Sequence, residues 1–122
     1  MYEISLDADF AAAHCLRGYQ GDCERLHGHN WRVRVTVEGA RLDGLGMVMD
    51  FRDLKAALSG VLKEFDHVFL NDLERFREVN PTTENLARII AEEIAARLPD
   101  GVRVAAVTAW ESPRCRATYR PR

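Results

Sequence analysis

His27-Gly28-His29 sets two imidazoles two residues apart, so in extended backbone both project from one face. His14 lies upstream in the phase of Phe10 and Ala12, while His27 and His29 share the phase of Trp31 and Val33. If the two segments pair as a hairpin, three imidazoles converge where a core face meets a loop. Three neutral imidazoles with an open fourth position suit a catalytic zinc ion, because a structural zinc closes with a fourth protein ligand. The alternative is an accidental H-x-H with His14 as a satisfied core residue, and the third histidine in phase favours the metal. Zinc is preferred to iron because no carboxylate nearby completes a two-histidine, one-carboxylate triad. Gly28 is expected to let backbone sit close to the site or to a neighbouring chain.

Other residues carry chemistry around this trio. Cys23, four residues before His27, reads as a fourth ligand, a nucleophile or base, or a quiet buried thiol; the adjacent Arg25 favours thiolate character. Asp66-His67 pairs a carboxylate with an imidazole, the relation that tunes a general acid or base, or else a polar helix end. Glu111, after Trp110, can grip a guanidine-like edge through two charge-assisted hydrogen bonds, or end a strand in solvent. Thr82-Thr83-Glu84 reads as a helix cap. Arg17 and Arg25 are candidates for an anion, with solvation the plainer account. Cys15 should face away from His14, Cys115 reads as core, and Arg114, Arg116 and Arg120 as a wet face.

The elements that must position these residues follow from periodicity. Tyr2, Ile4, Leu6, Ala8 and Phe10 alternate with Glu3, Ser5, Asp7 and Asp9, which predicts a half-buried strand. Trp31, Val33, Val35 and Val37 repeat the pattern. Asp50 is placed to cap a helix with the stripe Phe51, Leu54, Leu58, Val61, Leu62 and Phe65. Thr82 or Thr83 caps a second, with Leu86, Ile89, Ile90, Ile94 and Leu98 inward, ended by Pro99-Asp100-Gly101. A third strand runs from about Val102 to Glu111 with Val102, Val104, Ala106, Thr108 and Trp110 in one phase, and a fourth carries Cys115, Ala117 and Tyr119. The order ββααββ predicts one α+β domain over residues 1–122. Two open sheet edges suggest an oligomer in which sheets join.

Composition limits the partners. The 122 residues are 47% hydrophobic and 30% charged, a globular profile. Lys plus Arg is 17 against 19 Asp plus Glu, a formal charge of −2, which argues against a general nucleic-acid binder. Met1–Asp7 lacks a basic leader pattern, no stretch approaches the ~20 apolar residues of a membrane span, and three cysteines form no CxxC pair. A reduced, cytoplasmic protein is expected.

Together the residues resemble the 6-pyruvoyl-tetrahydropterin synthase/6-carboxy-tetrahydropterin synthase family, of the T-fold (tunnelling) type. The motifs are Phe10-Ala11-Ala12-Ala13-His14, Cys23-x-x-x-His27-Gly28-His29-Asn30, Gly46-Met47-Val48-Met49-Asp50-Phe51, Asp66-His67, Pro81-Thr82-Thr83-Glu84-Asn85 and Trp110-Glu111-Ser112, in order along nearly the whole chain. The resemblance implies a four-stranded antiparallel sheet with two helices on one face, subunits joining into a barrel, and a hexamer of two stacked trimers. It implies His14, His27 and His29 as ligands of one zinc per subunit, and Cys23 as the proton-abstracting base. His67 and Asp66 would relay the proton, and Glu111 would anchor the pterin, with Thr82, Thr83 and Glu84 lining its pocket. The implied substrate is 7,8-dihydroneopterin triphosphate, its hydroxyls held by zinc acting as a Lewis acid. The short Cys-x-x-x-His spacing looks like the carboxy branch, which yields 6-carboxytetrahydropterin, acetaldehyde and triphosphate for queuosine and related 7-deazapurines. The rivals are the pyruvoyl synthase, an epimerase on the same substrate, and a zinc-binding oligomeric module without catalysis. Ala11 departs from the family, where serine is frequent.

Overall fold

Alternation of apolar and polar residues produces two thirteen-residue strands, β1 (Tyr2–His14) and β2 (His27–Gly39), paired antiparallel from Tyr2 opposite Gly39 to His14 opposite His27. The computed structural model describes residues 1–18 and 25–122. Among these, α1 (Phe51–Leu62), β3 (Val68–Phe69), α2 (Thr83–Ala95), β4 (Val102–Ser112) and β5 (Cys115–Tyr119) follow, and the sheet order is β3-β1-β2-β4-β5. Two single 3-10 turns, Leu70–Asp72 and Glu74–Phe76, lead into the α2 connection. No helix among the described residues is long and apolar enough to cross a membrane.

The helices start where the sequence places their caps. Asp50 Oδ1 accepts from the Arg52 amide at 2.8 Å, and Thr82 Oγ1 accepts from the Asn85 amide at 3.1 Å. Leu54, Leu58, Val61 and Leu62 of α1, and Leu86, Ile89, Ile90 and Ile94 of α2, pack on the inner sheet face against Phe10, Trp31, Val33 and Val35. Each such aliphatic side chain contributes about 1.5–3 kcal/mol by leaving water. Phe51 departs from the expected stripe: it is the first residue of α1 and is 54% exposed.

The sheet has five strands rather than the expected four. His67 adopts φ 58, the left-handed region, and its amide donates to the Ala11 carbonyl at 2.5 Å. That turn lays Val68 and Phe69 parallel to Ala12 and Ala13. A two-residue strand is too short to show periodicity, so alternation gives no sign of it.

β4 also breaks the expected phase. Val37 pairs with Val104 but Thr36 pairs with Ala106, so Ala105 is an extra residue, a β-bulge. Beyond it Val107 and Ala109 turn inward, while Thr108 and Trp110 face outward with Arg32 and Arg34. The Arg32 and Arg34 guanidiniums lie 4.8 and 5.3 Å from the Trp110 ring, and both bind Asp7. The Arg34 hydrogen bonds, with help from Arg32, hold the Asp7 carboxyl at about 2. Cys115, expected in the core, is exposed at the start of β5.

Candidate metal centre

The ladder register carries the histidines to one place. His14 faces His27 directly across β1 and β2, and His29, opposite Ala12, projects from the same face. Their ring centroids are 4.5 Å (His14–His27), 4.7 Å (His27–His29) and 5.2 Å (His14–His29) apart. Trp31 forms the floor, its ring edge-on to His14 at 5.2 Å and to His29 at 5.4 Å. His14 is 1% exposed; His27 and His29 are half-buried.

Glu111 completes the group. The bulge at Ala105 shifts β4 by one residue, and a second irregularity makes Glu111 itself the extra residue opposite β5, between Trp110–Arg116 and Ser112–Cys115. Bulges re-aim side chains in this way. Glu111 Oε1 lies 3.0 Å from Nε2 of both His14 and His29 and 3.9 Å from Nε2 of His27. One ligand atom from each of the four residues lies within 4.8 Å of the others. The expectation that no carboxylate stands near the histidines is therefore corrected: it is distant in sequence and reaches them across the sheet.

The donor set fits a metal cation. A carbonyl only accepts, so His14 Nδ1 donates to Pro81 O at 2.7 Å and His27 Nδ1 donates to Arg25 O at 2.7 Å. Neutral rings so bonded present lone pairs at Nε2, the relation in which an outer carbonyl orients a metal-binding imidazole. Lone pairs facing a carboxylate oxygen repel unless a proton or cation lies between them. His29 Nε2 is buried without a hydrogen-bond partner, its 3.0 Å approach to Glu111 being off-line. Burial holds the His29 imidazolium below its ordinary range, with His14 and His27 adding to the effect and Glu111 opposing it. Three imidazole nitrogens with a carboxylate oxygen beside them form a donor set that can hold a metal cation.

The remaining predicted residues are placed as follows. Asp66 Oδ1 accepts from the Ala11 amide at 2.9 Å and lies 2.9 Å from His67 Nδ1. The Ala11 amide, followed by His67, holds the Asp66 carboxyl below the usual range. His67, 80% exposed, lines a groove of about 490 Å³ with Ala11, Ala13, Gly28, His29 and Asn30. Gly28 faces this open groove: a Cβ there would meet only Ala12 O, at 3.9 Å, so among the described residues of this chain no close approach demands glycine. Thr82 caps α2, and its segment reaches the centre through the Pro81 carbonyl; Thr83 is half-buried and Glu84 exposed. Arg25 is exposed and serves His27 through its carbonyl. Arg17 is exposed, and its guanidinium donates to the carbonyls of Phe76 and Val79. Cys23 lies outside the described residues. The carbonyls of Pro81 and Arg25 escape sequence reading altogether, since every residue type carries one.

The model of the family described as 6-pyruvoyl tetrahydropterin synthase matches residues 3–122. A Pyrococcus furiosus protein named dihydroneopterin monophosphate aldolase is 42% identical over 104 residues, covering 85% of this chain and 84% of its own. The Bacillus subtilis 6-carboxy-5,6,7,8-tetrahydropterin synthase is 34% identical over 129 residues, covering 99% of this chain and 86% of its own. The structure of Caenorhabditis elegans 6-pyruvoyl tetrahydropterin synthase superposes with a TM-score of 0.89 at 29% identity, over 99% of this chain and 96% of that one.

Proposed function

Since this chain belongs to the 6-pyruvoyl tetrahydropterin synthase family, we propose that it is a zinc-dependent 6-carboxy-5,6,7,8-tetrahydropterin synthase. The substrates are 7,8-dihydroneopterin triphosphate and water, whose oxygen enters the new carboxylate, and the products are 6-carboxytetrahydropterin, acetaldehyde and triphosphate, a cytoplasmic step toward queuosine-type 7-deazapurines. The observation that carries the reading is the convergence of His14, His27, His29 and Glu111 beside the Asp66–His67 pair. The nearly full-length match to the Bacillus subtilis enzyme supports the carboxy branch.

His14, His27 and His29 hold the zinc, which when bound supplies Lewis acidity toward the hydroxyls of the pterin side chain. Glu111, 29% exposed, is reachable from solvent and accepts two hydrogen bonds from the amino-pyrimidine edge. Cys23 removes a side-chain proton. His67, exposed to the groove and oriented by Asp66, returns a proton to the same side chain. Arg25 draws in the triphosphate, and Thr82, Thr83 and Glu84 border the pterin. Incubating zinc-loaded protein with dihydroneopterin triphosphate, followed by mass identification, should give acetaldehyde and the carboxy-pterin. A pyruvoyl product overturns the branch. The 42% identity to the Pyrococcus furiosus protein favours one second reading, aldol cleavage of dihydroneopterin monophosphate. Turnover of the monophosphate alone would establish it.

Several copies complete the enzyme. β3 covers β1 only at Ala12 and Ala13, and β5 has no outer partner among the described residues. Exposed Glu3 and Asp9 line β1, while Arg116 on β5 and the following Arg120 are exposed and basic. Pairing β1 with β1 sets acids against acids; pairing β5 of one copy with β1 of the next sets bases beside acids. Because β1, β2, β4 and β5 run alternately up and down, that second pairing stays antiparallel and head-to-tail, which closes a ring. Two stacked trimeric rings give the hexamer. Light scattering should report a mass six times that of one chain, and a monomer overturns the assembly.

A further inference from the structure

Beyond His14 the chain leaves β2, yet its backbone is bonded as if a strand continued beside it. The Cys15 amide donates to Asn71 Oδ1 at 3.0 Å, and the Cys15 carbonyl accepts from Asn71 Nδ2 at 2.9 Å. Two residues on, the Arg17 amide donates to Asn80 Oδ1 at 2.9 Å, and the Arg17 carbonyl accepts from Asn80 Nδ2 at 2.9 Å. A side-chain amide offers a donor and an acceptor side by side, as a peptide group does. Aspartate keeps the acceptor and loses the donor. The two asparagines thus satisfy the backbone amide and carbonyl of both Cys15 and Arg17 where β1 has ended.

This clip connects to the metal centre. The Asn80 carbonyl accepts from Asn85 Nδ2 at 2.9 Å, and the Arg17 guanidinium binds the carbonyls of Phe76 and Val79. Pro81, the next residue, presents its carbonyl to His14 Nδ1 at 2.7 Å. We propose that Asn71 and Asn80 are positioning residues for the metal centre, fastening the chain that leaves His14 to the 71–81 connection. Through Asn80 they hold the Pro81 carbonyl that sets the tautomer and ring angle of His14. The inference rests on the zinc reading of His14, His27 and His29.

The test measures zinc affinity by chelator competition in wild type, Asn71→Ala, Asn80→Ala and Asn80→Asp. The Nδ1 proton resonance of His14 and the unfolding midpoint of the zinc-free proteins are followed in parallel. Asn80→Asp keeps the volume and removes the donor. Outer groups that orient metal ligands typically govern about 10–100-fold in affinity, so both Asn80 variants should weaken zinc by about that factor, with Asn71→Ala moving the same way. The His14 Nδ1 proton should exchange faster in each. Arg88→Ala, which breaks an exposed pair with Glu92 on α2, should leave the affinity unchanged. A lower unfolding midpoint with unaltered zinc affinity and an unaltered His14 resonance overturns the proposal, leaving the asparagines merely structural. A wild type that takes up no zinc overturns the metal reading and the positioning role with it, while the His14 resonance still reports the clip.

Discussion

His29→Ala is expected to abolish stoichiometric zinc, seen as loss of about one zinc per chain by elemental analysis of dialysed protein. The reason lies in the donor geometry. His29 Nε2 is buried, lacks a hydrogen-bond partner and faces the same point as Nε2 of His14 and His27. Zinc sites bind with roughly 10–16 kcal/mol, so one imidazole of three is worth about 3–5 kcal/mol, or on the order of 10²–10⁴ in affinity. Turnover should fall with the metal. The fold should survive, because His29 sits at the rim while Trp31 beneath it stays fully buried. His14→Ala should lose zinc and also lower the unfolding midpoint, since it removes a fully buried ring and strands the Pro81 carbonyl. Full zinc retention in His29→Ala would sink the three-histidine site.

The second large effect separates catalysis from metal binding. Cys23→Ala should keep one zinc per chain and lose turnover by about 10²–10⁴, the usual contribution of a positioned acid or base. The assignment rests on spacing, Cys23 standing four residues before His27, and on the family pattern. His14, His27 and His29 already converge at the centre with Glu111 beside them, so three imidazoles are available to a metal without a thiolate. Loss of the metal in this variant would make Cys23 a ligand and remove it as the base. Both variants should lose turnover, and metal content separates them: His29→Ala without zinc, Cys23→Ala with it.

Much of this architecture is written in local patterns. Alternation places β1 and β2, and it places His14, His27 and His29 on one face, because the side-chain period of a strand is two. Asp50 and Thr82 cap the helices as their residue types require. Where reading failed, the decisive contact was distant or involved backbone. Arg17 reads as a solvated arginine or an anion ligand in sequence, and its carbonyl partners some sixty residues away have no sequence signal. Phe51 continues a helical stripe on paper and is exposed at the first position of α1. His67 needed a left-handed backbone to bring its ring to Asp66, a conformation that nothing in its residue type announces.

Glu111 draws the boundary most clearly. Its identity and its place beside Trp110 are plain from the chain, and so is its value as a carboxylate. Counting by twos from Val104 sends it to the outer face, away from the histidines. The bulge at Ala105 turns it inward, and the irregularity beside Arg116 aims it at three imidazoles. The chain alone determined the three histidines, their common face and the α+β order of elements, because those depend on periods of 2 and 3.6 residues. Only the tertiary structure decided the fourth group at the centre, the carbonyls that fix two imidazole tautomers, and the asparagine clip. Those depend on pairing register and on backbone atoms, and neither has a signature in residue type.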